Sequence, residues 1–144
     1  MPNQRNRLIA AGVLLGLTAL ACGQLSPPES CGENIGGTAD EAKFDELFAE
    51  MTLVDGASGE PGSGDPPTLA AGDQLIIQAQ ALDDVSVRAC IEESRGGGEI
   101  ALDEIQTMAA GESSFSIGTF EPGPYVIRVI VDDTLIKNLP FTVE

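Results

Sequence analysis

The sequence predicts a mainly β protein, an antiparallel β-sandwich with one short N-terminal helix, made behind a signal peptide that is cleaved off. From Ala71 onward, apolar residues recur at every second position in six or seven short runs, spaced roughly 8–12 residues apart. Turn residues separate these runs. Only residues 39–51 show the apolar spacing of a helix. The 144 residues are enough for one domain.

The N-terminal segment has the organisation of an export signal. Arg5 and Arg7 precede an uncharged run over residues 8–21 that is rich in Leu and Ala. This run has about the length of a signal-peptide apolar region and is short for a membrane span. Residues 18–23 then read TALACG. They resemble the lipobox of bacterial lipoproteins, in which a peptidase cuts before a cysteine that already carries a diacylglycerol.

The lipobox resemblance predicts a signal peptide over residues 1–21, cleavage between Ala21 and Cys22, and lipid, palmitate included, on Cys22. Leu is commonest three positions before such a cysteine, whereas this chain has Ala19 there. One alternative is an ordinary secretory peptide cut near Ala21, which leaves Cys22 free. Another is an uncleaved anchor. Residues 22–38 are expected to form the lipidated cysteine and its tether, and residues 39–144 the folded part.

The cysteine count agrees with lipidation. Three cysteines minus an acylated Cys22 leave Cys31 and Cys90, and an exported pair is expected to form a disulfide. Cys90 falls on the outward face of its predicted strand. The bond is therefore expected to hold the segment before the helix against that face, so that the helix covers the outward residues Ile76 and Ile130. The alternative is a redox-active thiol pair, but the chain has no Cys-x-x-Cys motif.

The chain is strongly acidic. Removal of residues 1–21 leaves five basic residues against 23 acidic ones, a formal net charge of −18. Such a surface repels phosphate backbones and anionic headgroups, which excludes nucleic acid and argues against electrostatic binding to a membrane. The acidity is interpreted first as a means of solubility, and the alternative is attraction to a cationic partner or to calcium.

The folded part is expected to begin with a helix. Thr38 and Glu41 fit a capping box, and an apolar stripe follows at Phe44, Leu47, Phe48 and Met51. These residues predict a helix over 39–51. The alternative is that residues 48–54 already form an edge strand. Residues 55–68 are dense in Gly, Pro and Ser and predict a loop.

The remaining strands are predicted from alternation, and each is named by its inward residues. They are Leu75, Ile77, Ala79 and Ala81; Val85, Val87, Ala89 and Ile91; Ile100 and Leu102, running on towards Met108; Phe115, Ile117 and Thr119; Tyr125, Ile127, Val129 and Val131; and Leu139, Phe141 and Val143. Asp83-Asp84, residues 96–98 and Asp132-Asp133 are predicted turns. Pro140 confines the last strand to an edge or a bulge.

Two stretches resemble bacterial Ig-like domains. Residues 72–79 (GDQLIIQA) with 83–87 (DDVSV) are similar to their B and C strands, and residues 122–129 (PGPYVIRV) with 141–143 (FTV) to their F and G strands. The resemblance spans about residues 70–144 and implies that Tyr125 forms a structural tyrosine corner. The chain lacks the core Trp and the cysteine pair of antibody domains, so only the general architecture carries over.

Catalytic chemistry is largely excluded by composition. The chain has no histidine, which removes Ser-His-Asp and Cys-His catalysis and the usual His-containing metal sites. The carboxylates of Asp83/Asp84 and of Asp132/Asp133 are adjacent in turns. The two carboxylates of each pair are therefore not expected to face each other across a glycosidic bond, as the two acids of a glycosidase do. Sugar binding by stacking is disfavoured, because there is no Trp and the single Tyr is assigned to the fold. The sequence therefore predicts no enzyme and no cofactor.

Three functions remain as hypotheses. The first is a lipid-anchored cell-envelope protein whose Ig-like domain binds, adheres or scaffolds without catalysis, through an unknown protein partner. The second is an acidic inhibitor or sequestering protein for a cationic protein that attacks the envelope. The third is a calcium-binding module formed where the turns bearing Asp83, Asp84, Asp132 and Asp133 meet. Gly23 after the cysteine favours the outer membrane in a Gram-negative cell, and otherwise the outer face of the cell membrane.

Overall fold

The computed structural model describes residues 31, 32, 35, 37–95 and 98–144. The predicted signal peptide, the cleavage position between Ala21 and Cys22, and residues 22–30 of the predicted tether lie outside these residues. Among the residues described, no helix is both long and apolar enough to cross a membrane.

The helix α1 is shorter than predicted and spans Glu41–Leu47. Its N-cap is Asp40, whose carboxylate accepts a hydrogen bond from the Lys43 amide (3.1 Å). The prediction that Thr38 caps the helix is wrong, because the chain becomes helical two residues later. The predicted end at residue 51 is also wrong.

The strand that replaces the end of the predicted helix confirms the alternative reading. β1 spans Phe48–Asp55 and pairs antiparallel with β3 over residues 75–81. The hydrogen bond from the Leu82 amide to the Leu47 carbonyl (2.8 Å) marks the change from helix to strand. The apolar stripe at helical spacing is therefore divided, so that Phe44 contributes to the core from the helix, and Phe48 and Met51 do so from the strand.

Eight strands form two sheets. After β1 they are β2 (Thr68–Leu69), β3 (Leu75–Ala81), β4 (Val85–Glu93), β5 (Ile100–Met108), β6 (Gly111–Gly118), β7 (Gly123–Val131) and β8 (Thr134–Val143). One sheet has the order β1-β3-β6, and the other has the order β2-β8-β7-β4-β5. Consecutive strands change sheet at every connection except β4–β5 and β7–β8, which is the crossing pattern of an Ig-like sandwich.

Each predicted strand is present, and the short strand β2 is an addition. The prediction of Thr119 as an inward strand residue is wrong, because β6 ends at Gly118 and Thr119 is exposed. β5 does run on to Met108, and β8 is paired with β7 along its length, while β2 covers only its last residues. Pro140 accordingly lies in a part of β8 that has a neighbour on one side only. The β2–β8 pair is parallel, so the sandwich is not wholly antiparallel. The predicted loop 55–68 contains two turns, closed by bridges between Val54 and Pro61 and between Ser63 and Thr68.

The core between the sheets is built by the predicted alternation. In β3 the inward residues Leu75, Ile77, Ala79 and Ala81 are all buried, and the central strands β4 and β7 bury Val87, Ala89, Ile91, Ile127 and Val129 completely. Complete burial on both central strands follows from their position, since each has a strand on either side and the second sheet in front.

A second, smaller apolar cluster lies on the outer face of the five-stranded sheet. It contains Cys31, Ile35, Cys90, Ile130 and Leu135, all buried. Cys31 and Cys90 are joined by a disulfide across 59 positions of sequence. The segment after Cys31 runs over this face and reaches the start of β8, where the Asp40 amide donates to the Leu135 carbonyl (2.9 Å).

What covers the outer face differs from expectation. Ile130 is buried beneath Cys31 and Ile35, whereas the helix contributes Phe44 to the main core. Ile76 is not covered by this segment at all, because it belongs to the other sheet, where the turn at Gly56 lies against it.

Candidate binding surfaces

A polar network fixes the N-terminal segment beside the disulfide. The Glu92 carboxylate accepts a hydrogen bond from the Cys31 amide (3.2 Å) and pairs with the Arg128 guanidinium (3.2 Å). Arg128 also donates to the Asn138 side-chain oxygen (3.0 Å). All of these side chains are partly buried, so the network joins the segment to three successive strands of the sheet.

The four aspartates considered for calcium do lie at one end of the sandwich. The β3–β4 turn carries Asp83 and Asp84, and the β7–β8 turn carries Asp132 and Asp133; both turns adjoin the paired strands β4 and β7. Asp132 and Asp133 have φ values of 48° and 57°, the left-handed conformation that a tight hairpin turn requires and that Asp tolerates.

Three of these four carboxylates are engaged in local contacts. Asp84 accepts from the Ala110 amide (2.9 Å), Asp83 accepts from the Asp84 amide (2.8 Å), and Asp132 pairs with the Lys43 ammonium (3.5 Å). Within the described ranges, no three side chains of His, Cys, Asp or Glu are placed to hold a metal ion together. The positions of Asp83, Asp84 and Asp132 at this end of the sandwich are therefore explained by contacts within the turns and with the helix.

Tyr125 makes the contact of a tyrosine corner. Its hydroxyl donates to the carbonyl of Glu121 (2.9 Å), which lies four residues upstream, just before β7 begins. The Tyr125 ring stacks on Phe141 (centroids 5.2 Å apart), and Phe120 packs against both rings. This arrangement closes the end of the core opposite the helix. All six aromatic residues are buried or half-buried, so none presents an open face for a sugar ring.

We expect the Tyr125 phenol to ionise above its ordinary pKa of 10.0. Burial disfavours the phenolate, and the neighbouring charges of Glu93 and Glu121 raise the pKa further. The chain has one Tyr and no Trp, so the tyrosinate absorbance reports this residue alone.

A spectrophotometric titration of the folded chain, compared with one in denaturant, measures the difference directly. Above the ordinary pKa the folded state keeps a proton that the unfolded state has lost, so stability should fall as the pH rises through this range. Coincident titration curves would contradict the expectation.

A half-buried carboxyl pair, Asp55 and Asp73, lies at the end of the sandwich away from the helix. Asp55 accepts hydrogen bonds from the amides of Ala57 (2.5 Å) and Ser58 (3.2 Å), which lower its pKa. The charge of Asp55 in turn raises the pKa of Asp73. Sequence reasoning missed this pair because the two residues are far apart in the chain and meet only through the β1–β3 register.

A polar groove occupies the outer face of the three-stranded sheet. Its volume is about 380 Å³, and its outward side chains are Glu50, Thr52, Gln78, Gln80, Glu112 and Ser114. The register aligns them in two rows across the sheet, Glu50–Gln80–Glu112 and Thr52–Gln78–Ser114. No sequence motif marks the groove, because each row takes one residue from each of three strands.

The two sheets differ in width, so the edge strand β5 of the five-stranded sheet extends beyond the three-stranded sheet. Its residue Ile105 is 70% exposed, and Glu104 lies opposite the buried Ala89 on the inner face yet remains exposed. A charge directed inward on an edge strand opposes pairing with another strand. On the outer face the Arg88 guanidinium forms two hydrogen bonds to the Asp103 carboxylate (2.7 and 2.8 Å).

Comparison with known proteins gives a structural likeness only. No protein-family model matches the sequence, and no curated protein matches it. The chain is similar to a beta-glucosidase from Listeria innocua in complex with glucose (TM-score 0.39, 12% identity), covering 65% of this chain and 16% of that chain. The same beta-glucosidase in a structure described without a ligand gives a TM-score of 0.40 at 12% identity, with the same coverage.

Proposed function

We propose that this chain is a lipid-anchored protein of the bacterial cell envelope whose Ig-like domain binds a protein partner without catalysis. The observation that carries the proposal is the attachment of the N-terminal segment. Cys31, nine positions after the predicted lipidated Cys22, is bonded to Cys90 on the outer face of β4. A disulfide of this kind fits an oxidising compartment outside the cytoplasm.

The attachment also supports an anchor close to the membrane. Eight residues separate Cys22 from Cys31 and reach about 28 Å at most when extended. The disulfide, the Glu92–Arg128 network and the second apolar cluster hold Cys31 against the domain. The length of tether between the lipid and the domain is therefore limited to the residues before Cys31. The sandwich is proposed to lie next to the lipid surface, on the outer membrane of a Gram-negative cell or the outer face of a cell membrane.

A non-catalytic role is supported by the residues available. The chain has no histidine, and Cys31 and Cys90 are consumed by the disulfide.

The anchor is tested by Cys22→Ala. We expect the variant to remain unprocessed or to be released from the membrane, since the peptidase acts on the lipidated cysteine, while the Cys31–Cys90 bond still forms. Fractionation of cells fed a labelled fatty acid measures both attachment and lipid incorporation. As a matched control, Ser30→Ala leaves the lipobox intact and should stay membrane-bound and labelled. A Cys22→Ala chain that is processed and still membrane-bound would overturn the anchor.

The second candidate, an inhibitor or sequestering protein for a cationic protein, is favoured by the distribution of charge. Four of the five basic residues of the mature chain are engaged internally: Lys43 with Asp132, Arg88 with Asp103, Arg128 with Glu92, and Lys137 over the Phe44 ring (4.5 Å). Most of the acidic residues that the structure describes thus face solvent with no basic partner. Partner capture that weakens steeply as salt shortens the Debye length below about 8 Å would support this candidate.

A further inference from the structure

The groove on the three-stranded sheet presents an unusual density of free polar groups. Two carboxylates, two carboxamides and two hydroxyls point outward from three neighbouring strands, at Glu50, Glu112, Gln78, Gln80, Thr52 and Ser114. Within the part of the chain that the structure describes, none of these six side chains is hydrogen-bonded or ion-paired to another protein group. On the five-stranded sheet, by contrast, Glu92 and Asp103 are both paired with arginines.

The arrangement across the groove is fixed by the sheet. Glu50 on β1 and Glu112 on β6 are both in register with Gln80 on β3. Two strand spacings put the backbones of the two glutamates about 10 Å apart. The groove therefore has a carboxylate at each side and amide and hydroxyl groups between them.

Access to the groove is open on the β6 side. β6 pairs with β3 only, and in the described residues no strand lies on its other side. The opposite border is closed at one end, where Pro61 forms a bridge with Val54 at the end of β1. β6 has neither Lys nor Pro, which are residues that commonly block an edge strand.

We propose that this groove binds an extended, basic segment of a partner protein. Lysine or arginine side chains of the segment pair with Glu50 and Glu112, and its backbone amides and carbonyls bond to the carboxamides and hydroxyls between them. Charge selects this occupant, because a formal net charge of −16 repels anionic ligands. A sugar would lack an aromatic ring to stack on, since none lies in the groove. The inference rests on the binding role proposed above but not on the lipid anchor.

The experiment uses the full chain in detergent and a fluorescent peptide in which lysine and threonine alternate. Binding is measured by anisotropy at about 0.15 M ionic strength, where unspecific attraction is screened. The test variant is Glu50→Gln with Glu112→Gln. The matched control is Glu60→Gln with Glu121→Gln, which removes the same charge from exposed positions away from the groove.

We expect the groove variant to bind the peptide about tenfold more weakly than the wild type, as expected for the loss of two exposed ion pairs, and the control to bind as the wild type does. Amide shifts in nuclear magnetic resonance should move on β1, β3 and β6. Equal weakening in both variants, no saturable binding, or shifts confined to other strands would each overturn the groove. None of these results bears on Cys22, whose test is membrane fractionation.

Discussion

Replacing Cys31 and Cys90 together by alanine should lower the free energy of unfolding by about 4 kcal/mol. The bond closes a loop with a sequence separation of 59, and the entropy that such a closure removes from the unfolded chain corresponds to about this value. Denaturant unfolding of the oxidised wild type and of the double variant measures the difference. Cys22→Ala leaves the Cys31–Cys90 bond intact and serves as the control, with no expected change in stability.

The loss should be local before it is global. Among the described residues between Cys31 and the helix, two amides form backbone hydrogen bonds: the Ile35 amide bonds to the Gly32 carbonyl, and the Asp40 amide bonds to the Leu135 carbonyl. Without the disulfide, the amides of Ile35 and Asp40 should exchange with solvent earlier than those of the central strands. A double variant with the midpoint and exchange pattern of the wild type would show that the second apolar cluster holds the segment unaided.

Most of the fold could be predicted from the alternation of apolar and polar residues, because this alternation shows directly which face of a strand is buried. The inward residues of β3, β4 and β7 follow from a period of two, and the outward position of Cys90 follows from the same rule. The sequence could therefore predict that apolar residues around Cys90 would be covered on the outer face of the sheet. The sequence could not predict which residues cover this face, since it does not show that Ile35 rather than the helix lies over Ile130.

The predicted C-terminal end of the helix was wrong for a physical reason. Phe44, Phe48 and Met51 lie at helical spacing, yet residues from Phe48 onward gain more by pairing with β3 than by continuing the helix. Strand pairing is a long-range term that a local pattern does not contain. The groove was beyond prediction for the same reason, because Glu50, Gln80 and Glu112 become neighbours only through the register of three strands.

Ile127→Ala should cost about 4 kcal/mol of unfolding free energy, within the range for large-to-small changes at buried isoleucines. Ile127 is 0% exposed on the central strand β7, in register with Ile91 on β4 and Leu139 on β8. Strands on both sides and the second sheet in front leave little freedom to fill the space that the lost methyl and methylene groups vacate. The cost therefore includes both lost burial and a remaining cavity.

Ile105→Ala is the matched control, since it makes the same chemical change in the same sheet. Ile105 lies on the edge strand β5 and is 70% exposed, so its truncation should change the unfolding free energy by no more than about 0.5 kcal/mol. Both values come from denaturant midpoints measured at equal slopes. Similar losses at the two positions would mean that β5 is covered in solution, and would place a binding surface on the five-stranded sheet at its exposed edge.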